Sequence, residues 1–174
     1  MKTVFRIFGI LAIVIALVTC GMSIYRAGLD KEDLAEGQTE LAEAQKQLIT
    51  LKEMASTMTG ESKVEMDKKV AEAEAAINSI PSATTYTIVQ ALIAALLVLA
   101  LAFGVFLFRT NLKLSQQLLI ASVILLLATY FISPDLKRGE YSGLPSRTLA
   151  LLSGVPVVIA GLCAFLVAKR NTAK

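Results

Sequence analysis

The sequence predicts an all-α protein: a four-transmembrane-helix bundle with an antiparallel two-helix coiled-coil hairpin between the first and second spans. Three observations predict this fold class. The 174 residues are 55% hydrophobic, with a mean hydropathy of +0.65, yet 18% of them are charged. Four apolar stretches are each long enough to cross a bilayer, and a heptad pattern fills the charged segment between the first two. Charge and apolarity are therefore segregated along the chain.

The four apolar stretches are defined by length and by the absence of charge. The hydrocarbon core of a membrane is about 30 Å thick and requires about 20 apolar residues in a helix. The first predicted span covers residues 4–25 and contains a single charged residue, Arg6. The other three, at 87–108, 114–132 and 148–168, contain none. Each stretch is long enough for one complete crossing.

These spans divide the chain into three parts. Residues 1–28 form the first transmembrane helix, 29–82 the hairpin, and 83–174 three further transmembrane helices with an outer loop at 133–147. The first span has the basic start and apolar run of a secretory signal. Because the apolar run continues past Cys20, we interpret it as an uncleaved signal-anchor, with lipidation at Cys20 as the alternative.

Orientation follows from the distribution of lysine and arginine beside the spans. With the N-terminus and C-terminus in the cytoplasm, that side of the membrane carries seven basic residues and no acidic residue. All fourteen acidic residues then lie on the other side. We therefore expect a multi-pass protein of the cell (inner or plasma) membrane with an extracytoplasmic hairpin. The cytoplasmic basic residues would be Lys2, Arg6, Arg109, Lys113, Lys169, Arg170 and Lys174.

The charged segment between the first two spans has the spacing of a coiled coil. Its apolar residues alternate at intervals of three and four in two runs, as the seam positions of paired helices do. Asp30 is a candidate cap for the first helix, and Ser62 with Glu65 is a candidate capping box for the second. Gly60 and Pro81 would end the two helices. The runs are Leu34, Leu41, Leu48 and Ala55 with Ala44, Leu51 and Met58, then Met66, Val70, Ala73, Ile77 and Ile80.

This seam is narrow, because several of its positions are alanine and one, Gly37, is glycine. A two-helix pair that buries so little apolar area is marginal in water, even with its ends anchored. We therefore expect the hairpin to act as a stalk that buries its seam against a partner, either another subunit or a copy of itself. The candidate partner-binding residues are Leu34, Leu41, Leu48, Leu51, Met66, Val70 and Ile77.

Two further features are candidate sites. The fourth span contains Gly154, Pro156 and Gly161, which either form a hinge or, the interpretation we favour, permit close helix packing around a tolerated proline. The outer loop contains Lys137, Arg138 and Arg147. These residues could bind lipid phosphates, the acidic stalk or an anionic ligand, and we favour interfacial anchoring.

Composition argues against an enzyme. The chain has no histidine, and its last three spans contain no lysine, arginine, aspartate or glutamate. No nucleophile–base pair is visible in the sequence. We expect no cofactor, metal or nucleic acid. We predict a non-catalytic accessory subunit that scaffolds a larger membrane protein complex, with membrane lipids and other membrane subunits or copies of itself as partners. The alternative is a homo-oligomeric channel or pore.

Overall fold

The computed structural model describes residues 2–109, 111–134 and 144–172. These residues form six helices and no strand. Four of the helices are long and apolar enough to cross a membrane, which confirms the all-α prediction at that level. In chain order the helices are α1 (Lys2–Glu36), α2 (Gln38–Thr57), α3 (Glu61–Asn78), α4 (Ala83–Phe106), α5 (Leu112–Ile132) and α6 (Ser146–Thr172).

The chain forms two compact units. Residues 30–83 make one, which we call the hairpin unit, and residues 1–29 with 84–174 make the other, which we call the bundle unit. The bundle unit holds the apolar parts of α1 and α4 together with α5 and α6, and the hairpin unit holds α2 and α3.

Two helix starts differ from the sequence expectation. Asp30 does not cap a separate helix, because α1 runs without interruption from Lys2 to Glu36. Nothing between Leu29 and Glu36 breaks a helix, so the hydrogen-bond ladder simply continues. Ser62 is not an N-cap either: α3 begins at Glu61, and Gly60 precedes it with φ of 74°. Glycine reaches that conformation at no steric cost, so the turn closes one residue earlier.

The core of the bundle unit is built around α6. Ten residues of α6 are buried, more than in any other described helix, and most of them are small. The buried positions of α4 and α6 are each spaced alternately by three and four residues, as in packed helical bundles. On α4 these positions are Tyr86, Val89, Ile93, Leu96, Ala100 and Phe103, and on α6 they include Ala150, Ser153, Val157, Ala160, Ala164 and Val167.

Helix α5 packs against α6 and buries hydroxyl-bearing residues. Its buried residues are Ser115, Ser122 and Thr129, which lie seven residues apart on one face. The hydroxyls of Ser122 and Thr129 donate to carbonyl oxygens of their own helix, those of Leu119 and Leu125, at 2.7 Å in each case. These two hydroxyls satisfy themselves on their own helix, whereas the buried hydroxyl of Ser115 has no hydrogen-bond partner among the described residues.

Gly154 and Gly161 lie where neighbouring helices approach α6 most closely. A Cβ atom at Gly161 would lie 2.6 Å from the Cζ atom of Phe103, whose ring is fully buried. A Cβ atom at Gly154 would overlap the side chain of Leu126 on α5. Pro156 lies between these glycines, and α6 is helical on both sides of it. The absence of a side chain at these glycines is what permits the observed packing.

Gly161→Ala should destabilise the bundle, and Gly21→Ala provides the matched control. Nothing lies within 4 Å of a Cβ atom at Gly21, whereas a Cβ atom at Gly161 meets the Phe103 ring. Both changes gain the same helix propensity, so their difference isolates the steric cost, which we expect to be about 1–3 kcal/mol. Unfolding of the purified protein in detergent, followed by circular dichroism, measures it. Equal stability of the two variants would contradict this packing.

Candidate functional site

The hairpin unit contains the predicted partner-binding residues along the facing sides of its two arms. Helices α2 and α3 pack against each other, and Lys52 of α2 forms an ion pair with Glu74 of α3. The seam is only partly buried: Ala55 is the one fully buried residue of α2, and α3 has none. Leu34, Leu41, Leu48, Leu51, Met66, Val70 and Ile77 are all half-buried.

A groove opens along one side of this seam. Its volume is about 380 Å³, and its walls are apolar residues of both arms with amide side chains at the edges. Water fills such a groove at a cost, because half-buried leucine and isoleucine side chains keep part of their apolar surface exposed. The lining residues are Leu34, Gln38, Leu41, Gln45, Ile77, Asn78, Ile80, Pro81, Ser82 and Ala83.

The two sides of the hairpin differ in charge. We call the side that carries the groove the amide face; it consists of Gln38, Ala42, Gln45, Ile49 and Lys52 of α2 with Val64, Asp67, Ala71, Glu74 and Asn78 of α3. Successive members of each helix are three or four residues apart, so each set forms one stripe.

The opposite side, which we call the acidic face, carries five exposed carboxylates and one lysine. It consists of Glu36, Glu40, Glu43, Gln47 and Thr50 on the first arm with Glu65, Lys69 and Glu72 on the second. On the amide face, by contrast, Lys52 and Glu74 neutralise each other and Asp67 is the remaining charge. The two faces of the hairpin therefore differ in charge, since carboxylates predominate on the acidic face and charges nearly balance on the amide face.

Polar groups link α1 to α6 inside the bundle unit. The Oγ atoms of Ser23 and Ser153 lie 2.7 Å apart, and both residues are buried. Ser153 also donates toward the carbonyl oxygens of Thr19, at 3.2 Å, and Leu149, at 2.8 Å. Helix α1 is also bonded to α4, because Gln90 of α4 donates through Nε2 to the carbonyl oxygen of Ile24 at 3.2 Å.

The hydroxyls of Ser23 and Ser153 hold α1 and α6 together by hydrogen bonds. Each hydroxyl bonds to a carbonyl oxygen or to the other hydroxyl, and none of the hydrogen bonds between them and the rest of the described chain involves a carboxylate or an amine. Sequence reasoning missed Ser23 as a partner of α6. A usable signal was present: Ser23 follows Ala16 by seven residues and Cys20 by three, on the buried stripe of α1.

One end of the bundle unit collects basic side chains from α1 and α6. Lys2 of α1 bonds to Asn171 of α6, and the Cζ atom of Arg170 lies 5.1 Å from the centroid of the Phe5 ring. Arg6 donates through Nε to the carbonyl oxygen of Leu107 at 3.1 Å, with its Cζ atom 5.4 Å from the centroid of the Phe108 ring. Cation–π contacts of this kind hold the two guanidinium groups in place.

Of the three basic residues predicted in the outer loop, Arg147 lies within the described residues. The Cζ atom of Arg147 lies 5.4 Å from the centroid of the Tyr130 ring, while Lys137 and Arg138 lie outside the described residues. Cys20 and Cys163 are buried free thiols. No group of three histidine, cysteine, aspartate or glutamate residues suited to a metal occurs within the described parts of the chain.

Ser153→Ala should weaken the bundle through the α1–α6 contact, whereas Ser122→Ala should not. Both hydroxyls are buried, but that of Ser122 bonds within its own helix, whereas that of Ser153 reaches Ser23 and Thr19. Hydrogen bonds between membrane helices are worth about 0.6 kcal/mol on average and up to about 1.7. We expect a loss in that range for Ser153→Ala in a denaturation assay in detergent. A loss as large for Ser122→Ala would assign the effect to cavity formation instead.

Comparison with known proteins adds no assignment. The chain matches no protein-family model, no curated protein and no solved structure. The features that describe it are therefore physical: four long apolar helices, a partly buried hairpin with two unlike faces, and an α6 helix at the centre of the bundle unit.

Proposed function

We propose that the protein is a non-catalytic subunit of a larger membrane complex, with the hairpin as an extracytoplasmic coiled-coil stalk that docks a partner. The observation that carries the proposal is the incomplete burial of the hairpin seam. Seven apolar seam residues stay half-buried, and a groove of about 380 Å³ lies beside them. Two helices of 20 and 18 residues with so little buried surface gain stability when a partner covers the seam.

The orientation of this proposal rests on the basic end of the bundle unit. Lys2, Arg6 and Arg170 lie together there, and Arg109 and Lys113 flank the short connection between α4 and α5. Basic residues in short segments beside spans are retained in the cytoplasm. In this orientation the hairpin, which connects α1 and α4 at their other ends, is extracytoplasmic.

The interior of the bundle unit supports a scaffold more than a transporter. Among the described residues of the apolar spans, Arg6 is the one charged side chain, and it lies near the start of α1. Ion and proton pathways usually place ionisable residues within spans. The buried hydroxyls of Ser23, Ser122, Thr129 and Ser153 bond to protein atoms. A homo-oligomeric pore stays the alternative, and ion flux through liposomes containing only this protein would favour it.

The acidic face gives the stalk a means of choosing its partner. Five exposed carboxylates against one lysine create a local negative potential that attracts a basic surface and raises its association rate. A partner with basic residues at the height of Glu40 and Glu43 would satisfy this face. The half-buried seam residues beneath would then gain burial.

Cysteine labelling tests the orientation. In intact cells, a membrane-impermeant maleimide should label Thr59→Cys, in the exposed turn between α2 and α3, and should not label Lys113→Cys at the start of α5. After permeabilisation both should react. The unmodified chain is the control, because Cys20 and Cys163 are buried. The reverse labelling pattern would place the hairpin in the cytoplasm.

Charge reversal tests docking. After gentle solubilisation we expect the protein to purify with other membrane or extracytoplasmic proteins, and Glu40→Lys with Glu43→Lys to reduce their recovery about tenfold, which corresponds to about 1.4 kcal/mol of binding free energy. The double variant Glu53→Lys with Glu61→Lys changes the net charge equally on exposed positions outside the acidic face. Recovery of the unmodified chain alone, with no other protein, would contradict the scaffold proposal.

A further inference from the structure

We infer that two copies of the chain associate through the amide face of the hairpin, so that two hairpins form a four-helix bundle with both acidic faces outward. The inference rests on the proposed function only in taking the hairpin to stand on one side of the membrane. A second copy of the chain covers the groove, and the two amide faces meet. The heterologous partner of the complex is left to the acidic face.

The amide face carries unburied apolar surface. The groove lies on the amide face, between Leu41 of the first arm and Ile77 of the second. Ile49 and Val64 belong to the same face and are 57% and 72% exposed, respectively. Both are β-branched apolar side chains on helices that water surrounds, so burying them against a second hairpin is favourable. Ala42 and Ala71 are exposed on the same face, and their small side chains allow close approach of a helix.

Charge determines which of the two faces can meet its own copy in a dimer. In a symmetric dimer each face meets its own copy. Two acidic faces would bring ten carboxylates and two lysines together, twice the set that one face carries, and would repel. Two amide faces bring together Lys52 and Glu74, already paired within each hairpin, and Asp67 as the remaining charge. Self-association therefore uses the amide face.

The polar side chains that line the groove are amides. Gln38, Gln45 and Asn78 line the groove, and each ends in a primary amide. An amide carries both donors and an acceptor, so it can form hydrogen bonds with an identical amide across a two-fold axis. A carboxylate lacks a donor and cannot do so. Uncharged amides beside an apolar groove are thus suited to contact with a second copy of the same surface.

The membrane fixes how the two copies align. The hairpin connects α1 to α4, both long enough to cross a membrane, so both ends of every hairpin enter the membrane from the same side. Two hairpins side by side then point the same way, and a two-fold axis along them brings identical residues to the same height. Each residue of the amide face near that axis lies close to its own copy.

Cysteine cross-linking in native membranes tests this arrangement with neighbouring residues as matched controls. Consecutive residues of a helix point about 100° apart, so Ala42→Cys and Ile49→Cys lie on the amide face and Glu43→Cys and Thr50→Cys on the acidic face. All four positions are exposed in one copy. Under mild oxidation we expect disulfide-linked dimers with the first pair and at least tenfold less with the second. Equal or reversed yields would overturn the inference.

A charge variant tests the same contact without cross-linking. Ile49→Glu places a carboxylate on the amide face, and Thr50→Glu places the same charge on the acidic face. We expect Ile49→Glu to lower the fraction of two-copy particles at least tenfold, counted by single-molecule photobleaching in liposomes, and Thr50→Glu to leave it unchanged.

The outcomes separate this inference from the proposed function. If Ala42→Cys and Ile49→Cys cross-link to another protein instead of a second copy, the dimer inference fails and the scaffold proposal stands. If they cross-link as expected while native purification recovers dimers of this chain alone, the dimer stands and the scaffold proposal fails.

Discussion

Close approach of neighbouring helices to α6 is the constraint on which the rest of the bundle unit depends. In a membrane, helix association gains little from the hydrophobic effect, because lipid is as apolar as the side chains; it depends on close contact and on hydrogen bonds between helices. Helix α6 provides both. Gly161 receives the ring of Phe103, Gly154 receives Leu126, and Ser153 bonds to α1. One helix of small residues thereby contacts α1, α4 and α5.

The same residue spacing has a different result in the hairpin unit. Both units repeat buried or half-buried positions at intervals of three and four, but the bundle unit fills them with Phe103, Leu96 and Ile93, all nearly or fully buried. In the hairpin unit most larger seam residues stay half-buried and Ile80 is exposed, while Ala55 is the buried seam residue. Apolar surface left over on the bundle unit can face lipid at no cost. Apolar surface left over on a hairpin in water costs free energy until something covers it.

The all-helical fold and its four long apolar helices were predictable from the sequence, because length and hydropathy determine a span. Other features depend on atoms that a pattern does not represent. The uninterrupted helix through Asp30 follows from the lack of any helix breaker there, which outweighs the capping tendency of one aspartate. The start of α3 at Glu61 follows from the φ of Gly60. The contact between Ser23 and Ser153 requires knowing which helices are neighbours, and the two unlike faces of the hairpin require knowing which side of the seam carries the groove.

These differences assign roles to parts of the molecule. Inside the bundle unit, the hydroxyls of Ser23 and Ser153 bond to each other and to carbonyl oxygens, so they stabilise the packing and offer no group that exchanges protons readily. The hairpin has the opposite property, since its groove and its five exposed carboxylates are not used within the fold. Because the two faces differ in charge, the proposed contact with a second copy and the proposed contact with a basic partner use different surfaces, and neither contact competes with the other. The proposed scaffold role needs such separation, because a subunit that used one face for both contacts could make only one of them at a time.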